Sequence, residues 1–173
     1  DPGICGAVFN YTNDVNDNCP GFTVTQTAGL PDGATFPVGT TLNTYLVTDA
    51  SGNTASCSFN LTVIDNEVPV AHCQNVTVQL DNAGNGSTTA AAVNNGSTDN
   101  CGIATLVLNP TTFTCSQTTS TNTVTLTVTD IYGNNSTCSA IVTVQDNVAP
   151  VAVCQDITVQ LDNTGNASIT PSQ

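Results

Sequence analysis

The 173-residue sequence contains no lysine, no arginine, no methionine and no tryptophan, and aromatic residues make up only 5% of it. With 13 Asp and Glu set against a single His, its formal net charge is -13. A chain without Lys or Arg cannot neutralise phosphate groups, which excludes nucleic acid and anionic membrane as partners. Trypsin-like proteases have nowhere to cut it. No apolar run approaches the roughly 20 residues of a membrane span. No Cys-x-x-Cys pair is present, and with one histidine this argues against a zinc cluster or a thioredoxin-type centre. Hydrophobic residues make up 39% and charged residues 8%, too apolar for a solvated acidic tail, so a folded, soluble chain is expected. Eight cysteines in such a context point to disulfides made outside the cytosol and to an extracellular or cell-surface protein. Asp1 reads as a processed end or as the edge of an excised segment.

The sequence repeats itself. Asp65-Asn66-Glu67-Val68-Pro69-Val70-Ala71-His72-Cys73-Gln74 recurs as Asp146-Asn147-Val148-Ala149-Pro150-Val151-Ala152-Val153-Cys154-Gln155, an offset of 81 residues. The same offset relates Thr48-Asp49-Ala50-Ser51-Gly52-Asn53 to Thr129-Asp130-Ile131-Tyr132-Gly133-Asn134, Cys57 to Cys138, and Asp81 to Asp162. Asp17-Asn18-Cys19 matches Asp99-Asn100-Cys101 at an offset of 82, so a loop between the anchors has gained or lost one residue. Three units follow: an incomplete one over 1–64 that lacks its first strand, a complete one over 65–145, and the opening strands of a third over 146–173, available for donation to a neighbouring molecule.

Within the complete unit, Thr123 to Thr129 alternate apolar and hydroxyl side chains, and Cys138 to Val144 do so in part. Period two marks half-buried strands. Asn75 to Leu80, Ser87 to Val93, Ile103 to Asn109 and Phe113 to Ser116 are further β-prone runs, separated by Asp, Asn, Gly and Pro turn clusters. The spacing predicts an all-β fold of tandem immunoglobulin-like β-sandwiches, stapled by disulfides because domains this small bury modest cores.

Phe36-Pro37-Val38-Gly39-Thr40-Thr41 followed by Val47-Thr48-Asp49-Ala50-Ser51-Gly52-Asn53-Thr54-Ala55-Ser56-Cys57-Ser58-Phe59 strongly resembles the hyalin repeat (HYR) domain. Asp99-Asn100-Cys101-Gly102 matches that family's Asp-Asn-Cys-Gly element, and Asp17-Asn18-Cys19-Pro20 is similar to it. The middle unit is similar to the HYR-like tandem arrays of large secreted or surface proteins of Bacteroidota-type bacteria. It departs from the hyalin form by lacking a Phe-Pro-Val-Gly-Thr segment and by adding Cys115. The resemblance implies adhesion, matrix or fibre building on an immunoglobulin-like fold, with no catalysis.

Comparing the units suggests cysteine partners. The first carries Cys5 and no counterpart of Cys115, and the middle carries Cys115 and no counterpart of Cys5. The trade is simplest if Cys5 pairs with Cys19 and Cys101 with Cys115, leaving Cys73 for Cys138. In a sandwich whose first and last strands run parallel, Cys73 and Cys138 lie near the strand starts, within bridging distance. Cys57 and Cys154 are then left over, because their counterparts would lie outside the chain. Three accounts stay open. An array has been cut at arbitrary points; or the strand from Gln155 to Leu161 completes the first sandwich of the next copy, with Cys154 bonded to its Cys57, giving a head-to-tail filament; or Cys57 pairs with Cys73 and Cys138 with Cys154 inside one chain.

The expected strand order brings Asp65, Asn66 and Glu67 of the linker, Asp99 with its neighbour Asn100, and Asp130 of the Asp130–Asn134 loop to one pole of the middle unit. With no Lys or Arg to compensate, Ca²⁺ is the neutraliser that such hard oxygen ligands suit, although Asp and Asn are also ordinary turn residues. Asp81 with Asp146 and Asn147 makes a second, weaker cluster at the opposite pole. Asn-x-Ser/Thr sequons at Asn10, Asn60, Asn75, Asn85, Asn95, Asn134, Asn135 and Asn166 are candidates for glycosylation. His72 has no nucleophile or acid in its sequence context, and Tyr11, Tyr45 and Tyr132 suit a core better than a sugar platform. No catalytic residue is assigned. The expected role is a structural segment of an extracellular fibre or surface adhesin whose partners are copies of itself. The alternative is an adhesive module presenting loops to a glycan or a surface protein within a larger secreted protein.

Overall fold

The computed structural model describes residues 3–168. In chain order its elements are β1 (Gly6–Val8), β2 (Thr23–Ala28), β3 (Thr35–Pro37), β4 (Gly39–Thr48), β5 (Thr54–Val63), β6 (Val76–Gln79), β7 (Asn85–Ser87), α1 (Ala90–Val93), β8 (Ile103–Asn109), β9 (Thr112–Thr114), β10 (Asn122–Asp130) and β11 (Asn135–Gln145). The fold is all-β, two sandwiches in tandem. In the first, the sheet β2-β4-β5 packs on the ribbon β1-β3; in the second, the sheet β6-β11-β10-β8 packs on the ribbon β7-β9.

Alternation along β10 decides which face is inside. Val124, Leu126 and Val128 are fully buried, while Thr123, Thr125 and Thr127 face outward. Ala140, Val142 and Val144 of β11, Val78 of β6, Leu108 of β8 and Phe113 of β9 close around them, with Leu80 and Val93, into one aliphatic core. The first strand of this sandwich, β6, runs parallel to the last, β11, with Val76 opposite Val142 and Gln79 opposite Gln145. That pairing carries Cys73 to Cys138, and the two are disulfide-bonded with a Cα–Cα separation of 5.8 Å.

Three segments depart from the expected strands. The run from Ser87 to Val93 is not one strand: β7 ends at Ser87, and Ala90–Val93 form a helical turn capped by Thr89, whose hydroxyl accepts from the Ala92 N–H at 3.2 Å. Three consecutive alanines, the best helix formers, behind a hydroxyl cap outweigh the β-prone flanks. Phe113 to Ser116 splits at Thr114, where β9 gives way to a 3₁₀ turn over Cys115–Gln117. Gln117 closes that turn by accepting the Thr114 N–H at 2.6 Å through its side-chain carbonyl. Residues 146–168 contribute no strand and are exposed throughout; residues 169–173 lie outside the described part.

Candidate functional site

The junction between the sandwiches gathers most of the unusual chemistry. Asp65 in the linker, Asp99 in the loop before β8 and Asp130 at the end of β10 each bring a carboxylate oxygen within 4.8 Å of the others. Each carboxylate is first positioned by its own turn. Asp65 Oδ1 accepts the Glu67 N–H at 3.0 Å; Asp99 Oδ1 accepts the N–H groups of Cys101 and Gly102 at 2.8 Å each; Asp130 Oδ1 accepts those of Tyr132 and Asn134 at 2.8 Å each. Asp130 is 2% exposed. Burial pushes its carboxyl up, but hydrogen bonds from the Asn134 side chain and from the backbone of the turn outweigh burial and hold it below the usual carboxylate value.

The opposite faces of two of these carboxylates have no partner. Asp65 Oδ2, Asp99 Oδ2 and the neighbouring Asn100 Oδ1 are shielded from solvent and accept no hydrogen bond. A shielded oxygen left unpaired is costly, and like charges about 5 Å apart repel by about 3 kcal/mol per ionised pair at an effective dielectric near 20. Of the expected ligands, Asp65, Asp99 and Asp130 come together. Glu67 is not among the converging carboxylates, its Oε2 accepting the Gly3 N–H at 3.3 Å, and Asn66 is exposed.

Two asparagines expected at this pole have roles that spacing does not show. Asn100 donates through Nδ2 to the Ile4 carbonyl at 3.1 Å, tying the two sandwiches together. Asn134 donates through Nδ2 both to Asp130 Oδ2 at 2.8 Å and to the Asp65 carbonyl at 3.2 Å. Of the glycosylation candidates, Asn134 is half-buried with its amide engaged in this way, whereas Asn10, Asn60, Asn75, Asn85, Asn95, Asn135 and Asn166 are exposed. At the far pole, Asp81 Oδ1 accepts from its own turn at Ala83 and Asn85, Asp146 Oδ1 from Val148, and Asn147 donates to Gln79 Oε1. Among the described residues these do not converge as the first cluster does.

The same junction corrects the cysteine pairing. Cys5 is bonded to Cys101, Cα–Cα 4.7 Å, across the two sandwiches, so neither Cys5 with Cys19 nor Cys101 with Cys115 forms. The turn before β1 reaches the next unit's Asp-Asn-Cys loop more closely than its own. Cys19, Cys57, Cys115 and Cys154 are free and exposed; with Cys73 held by Cys138, the pairing of Cys57 with Cys73 and Cys138 with Cys154 is excluded too.

In the first sandwich, β5 lacks the parallel neighbour that β11 has in β6. An apolar groove of about 540 Å³ lies there, lined by Ala7, Phe9, Phe59, Leu61, Val63 and Ile64 among others. Tyr11 and Tyr45 are absorbed by the core rather than forming a platform. Their hydroxyls hydrogen-bond to each other, and Tyr11 packs edge-on to Phe36 and Phe59. Tyr132 lies in the other sandwich, 46% exposed.

Residues 1–63 match the model of the HYR domain family. This part of the chain is an HYR domain. The HYR likeness continues beyond it: hyalin of Strongylocentrotus purpuratus is 36% identical over 151 residues, which is 84% of this chain and 12% of hyalin. The sushi, von Willebrand factor type A, EGF and pentraxin domain-containing protein 1 of rat and of mouse is 57% identical over 35 residues, 20% of this chain and 1% of each relative. The chain therefore spans 12% or less of the relatives it matches. Among solved structures, human mucin-like protocadherin EC1-2 aligns over 80% of this chain and 94% of its own, with 13% identity and a TM-score of 0.40. HYR kinship and two disulfides make this an extracellular or cell-surface protein. No helix among the described residues is long and apolar enough to cross a membrane.

Proposed function

We propose that the chain is a structural, adhesive segment of an extracellular fibre, assembled head to tail by strand complementation, with no catalytic role. The observation that carries this reading is the match between a groove and a strand. In the second sandwich Gln74–Leu80 supplies the strand that pairs with Val142–Gln145. By the 81-residue offset the counterpart of that strand is residues 155–161, outside any strand, and the counterpart of Val142–Gln145 is residues 61–64, along the apolar groove. Ile157, Val159 and Leu161, the counterparts of Val76, Val78 and Leu80, are 45%, 50% and 68% exposed. Seating them beside Leu61–Ile64 of the next copy covers both apolar surfaces, satisfies a sheet edge, and brings Cys154 to Cys57 as Cys73 is brought to Cys138. A contact of this kind does not close on itself and yields a filament. Purified under oxidising conditions, the protein should form filaments by electron microscopy in which Cys154 of one copy is disulfide-bonded to Cys57 of the next. Dispersed monomers at high concentration, with the groove still accessible, would sink the reading.

A second reading is favoured by the hyalin comparison, in which this chain matches 12% of a much longer protein: the complementing strand would then come from the preceding repeat of one polypeptide, and the array would present loops to a glycan or protein ligand. Light scattering of the isolated chain separates the two, since only copies that complement one another polymerise.

We further infer that the junction holds Ca²⁺ between Asp65, Asp99 and Asp130. Support comes from the shielded, unpartnered oxygens of Asp65, Asp99 and Asn100, and from a chain that offers no Lys or Arg to neutralise them. An ion there would stiffen the linker. Terbium luminescence titrated on the wild type and on Asp99→Asn tests it: sensitised binding in the first and its loss in the second are expected, and equal signals refute the site.

A further inference from the structure

We propose that Cys115 is a second intermolecular crosslinking site, whose partner is Cys19 of the next copy in the fibre; the inference rests on the head-to-tail reading above. Its starting point is that the two ribbons have the same register around a buried phenylalanine. Ala7 faces Phe36 in β1-β3, and Gly86 faces Phe113 in β7-β9, with both rings essentially inaccessible. Two residues before Ala7 stands Cys5, and two before Gly86 stands Gly84. Two residues after Phe36 stands Val38, and two after Phe113 stands Cys115. Cys5 and Cys115 are thus on facing strands at the same end of equivalent ribbons.

The contact between Gly84 and Cys115 fixes where the thiol sits. Cys115 Sγ is 3.7 Å from the Gly84 carbonyl, and a Cβ built on Gly84 would stand 2.5 Å from that sulfur. The sulfur therefore fills the space that a side chain at position 84 would take, and position 84 has the same place relative to its ribbon as Cys5 has to β1-β3. The cysteine has moved to the opposite strand, and the sulfur has stayed at the same corner.

What that corner meets is visible at the first junction. There it faces the Asp-Asn-Cys loop of the following sandwich, and Cys5 is bonded to Cys101. In a fibre completed by strand donation, the sandwich that follows the second one is the first sandwich of the next molecule. Its Asp-Asn-Cys loop is Asp17-Asn18-Cys19, with the Cys19 N–H donated to Asp17 Oδ2 at 3.4 Å as the Cys101 N–H is to Asp99 Oδ1 at 2.8 Å. Both thiols are free and exposed. Two thiols joined in this way lose two protons and two electrons to a small-molecule disulfide, which is reduced to two thiols. Every cysteine then has a partner: two bonds within each chain, and two across each intermolecular junction, Cys154 to Cys57 and Cys115 to Cys19.

The test mixes ¹⁵N-labelled and unlabelled protein, assembles it with oxidised glutathione, blocks residual thiols and maps peptic peptides without reduction. A Cys19–Cys115 peptide pair combining labelled and unlabelled halves is expected beside a mixed Cys57–Cys154 pair. Alkylated Cys115 in fibres that contain the Cys57–Cys154 bond overturns the Cys115 proposal and leaves the fibre reading standing. Absence of both bonds in a monomeric product overturns the fibre reading, and this proposal with it. On denaturing gels without reductant, Cys115→Ser alone and Cys154→Ser alone should each retain a covalent ladder, and the double variant should run wholly as single chains. A ladder surviving in the double variant, or lost in Cys154→Ser alone, refutes the crosslink.

Discussion

The two sandwiches share a sequence pattern and differ in how well it is used. On β10 the inward residues Val124, Leu126 and Val128 are fully buried, and on β11 Ala140, Val142 and Val144 are buried with them. The counterparts in the first sandwich are Asn43, Tyr45 and Val47 on β4 and Phe59, Leu61 and Val63 on β5. Of these only Asn43 and Tyr45 are buried, and Phe59, Leu61 and Val63 remain partly open to solvent. The strands are present and correctly faced; what is absent is the layer that Val78 and Leu80 supply in the second sandwich. One strand separates a closed core from an open one, and the first sandwich offsets part of the loss with polar links. Asn43 Oδ1 accepts the Leu30 N–H at 3.0 Å, and the Tyr11 hydroxyl donates to the Leu30 carbonyl at 2.6 Å. Burial beside Tyr45 pushes the Tyr11 hydroxyl up to about 12.

The largest expected effect comes from restoring that strand. A synthetic peptide spanning residues 150–163, with Cys154 replaced by Ser, offers three apolar side chains worth about 1.5–3 kcal/mol each when buried. Calorimetry of the chain should show two transitions, the lower belonging to the first sandwich. The peptide should raise the lower one towards the upper and leave the upper where it is. An unmoved lower transition would mean that the groove is not a strand site.

Next in size is the staple. Closing the loop between Cys73 and Cys138, 65 residues apart, stabilises by about 4 kcal/mol in the chain-entropy account. Cys73→Ser with Cys138→Ser should lower the upper transition accordingly, while Cys57→Ser, at the equivalent position of the first sandwich, should shift the lower one by less than about 0.5 kcal/mol in the isolated chain. Calcium ranks third. At 100 times its dissociation constant the ion should stabilise the junction by about 2.7 kcal/mol, and Asp99→Asn should abolish the gain. Asp17→Asn, its counterpart, should leave the isolated chain unaffected, because the third carboxylate of that site, the counterpart of Asp65, is Asp146 of a preceding copy.

The contrast also explains how much could be read in advance. Period-two alternation at Thr123–Thr129 is a local signal that survives into the structure, because each side chain's face is set by its own strand. The all-β fold was legible for that reason, and the HYR resemblance from the motifs at Phe36–Thr41, Val47–Phe59 and Asp99–Gly102. The Cys5–Cys101 bond was not: repeat equivalence matches Cys19 with Cys101 but says nothing about how one sandwich sits on the next, and that orientation decides which cysteine Cys5 reaches. The acidic cluster was partly legible. Turn residues placed Asp65, Asp99 and Asp130 at one pole, whereas the roles of Asn100 and Asn134 depend on side-chain directions that spacing does not encode.

The smallest effect compares two equivalent Asp-x-x-Gly-Asn turns, those at Asp49 and Asp130, under acid. Asp49 and Asp130 are both held below the usual carboxylate value, Asp49 chiefly by the Asn53 side chain, and Asp130 by Asn134 and its turn against an opposing burial cost. A carboxyl whose folded value is depressed stabilises the fold at pH above its unfolded value, near 4, and the contribution disappears as pH falls through the folded value. Lowering the pH from 7 towards 4 also reduces the self-repulsion of a chain with net charge -13, so both transitions should hold steady or rise before they fall. Below that point the acid limb should be steeper for the second sandwich, since Asp130 is 2% exposed and less screened than Asp49. Asp130→Asn should flatten the limb of the upper transition and Asp49→Asn, more weakly, that of the lower. If calorimetry between pH 2 and 5 gives Asp130→Asn the same acid limb as the wild type, hydrogen bonding at this turn is not what separates the two domains in acid.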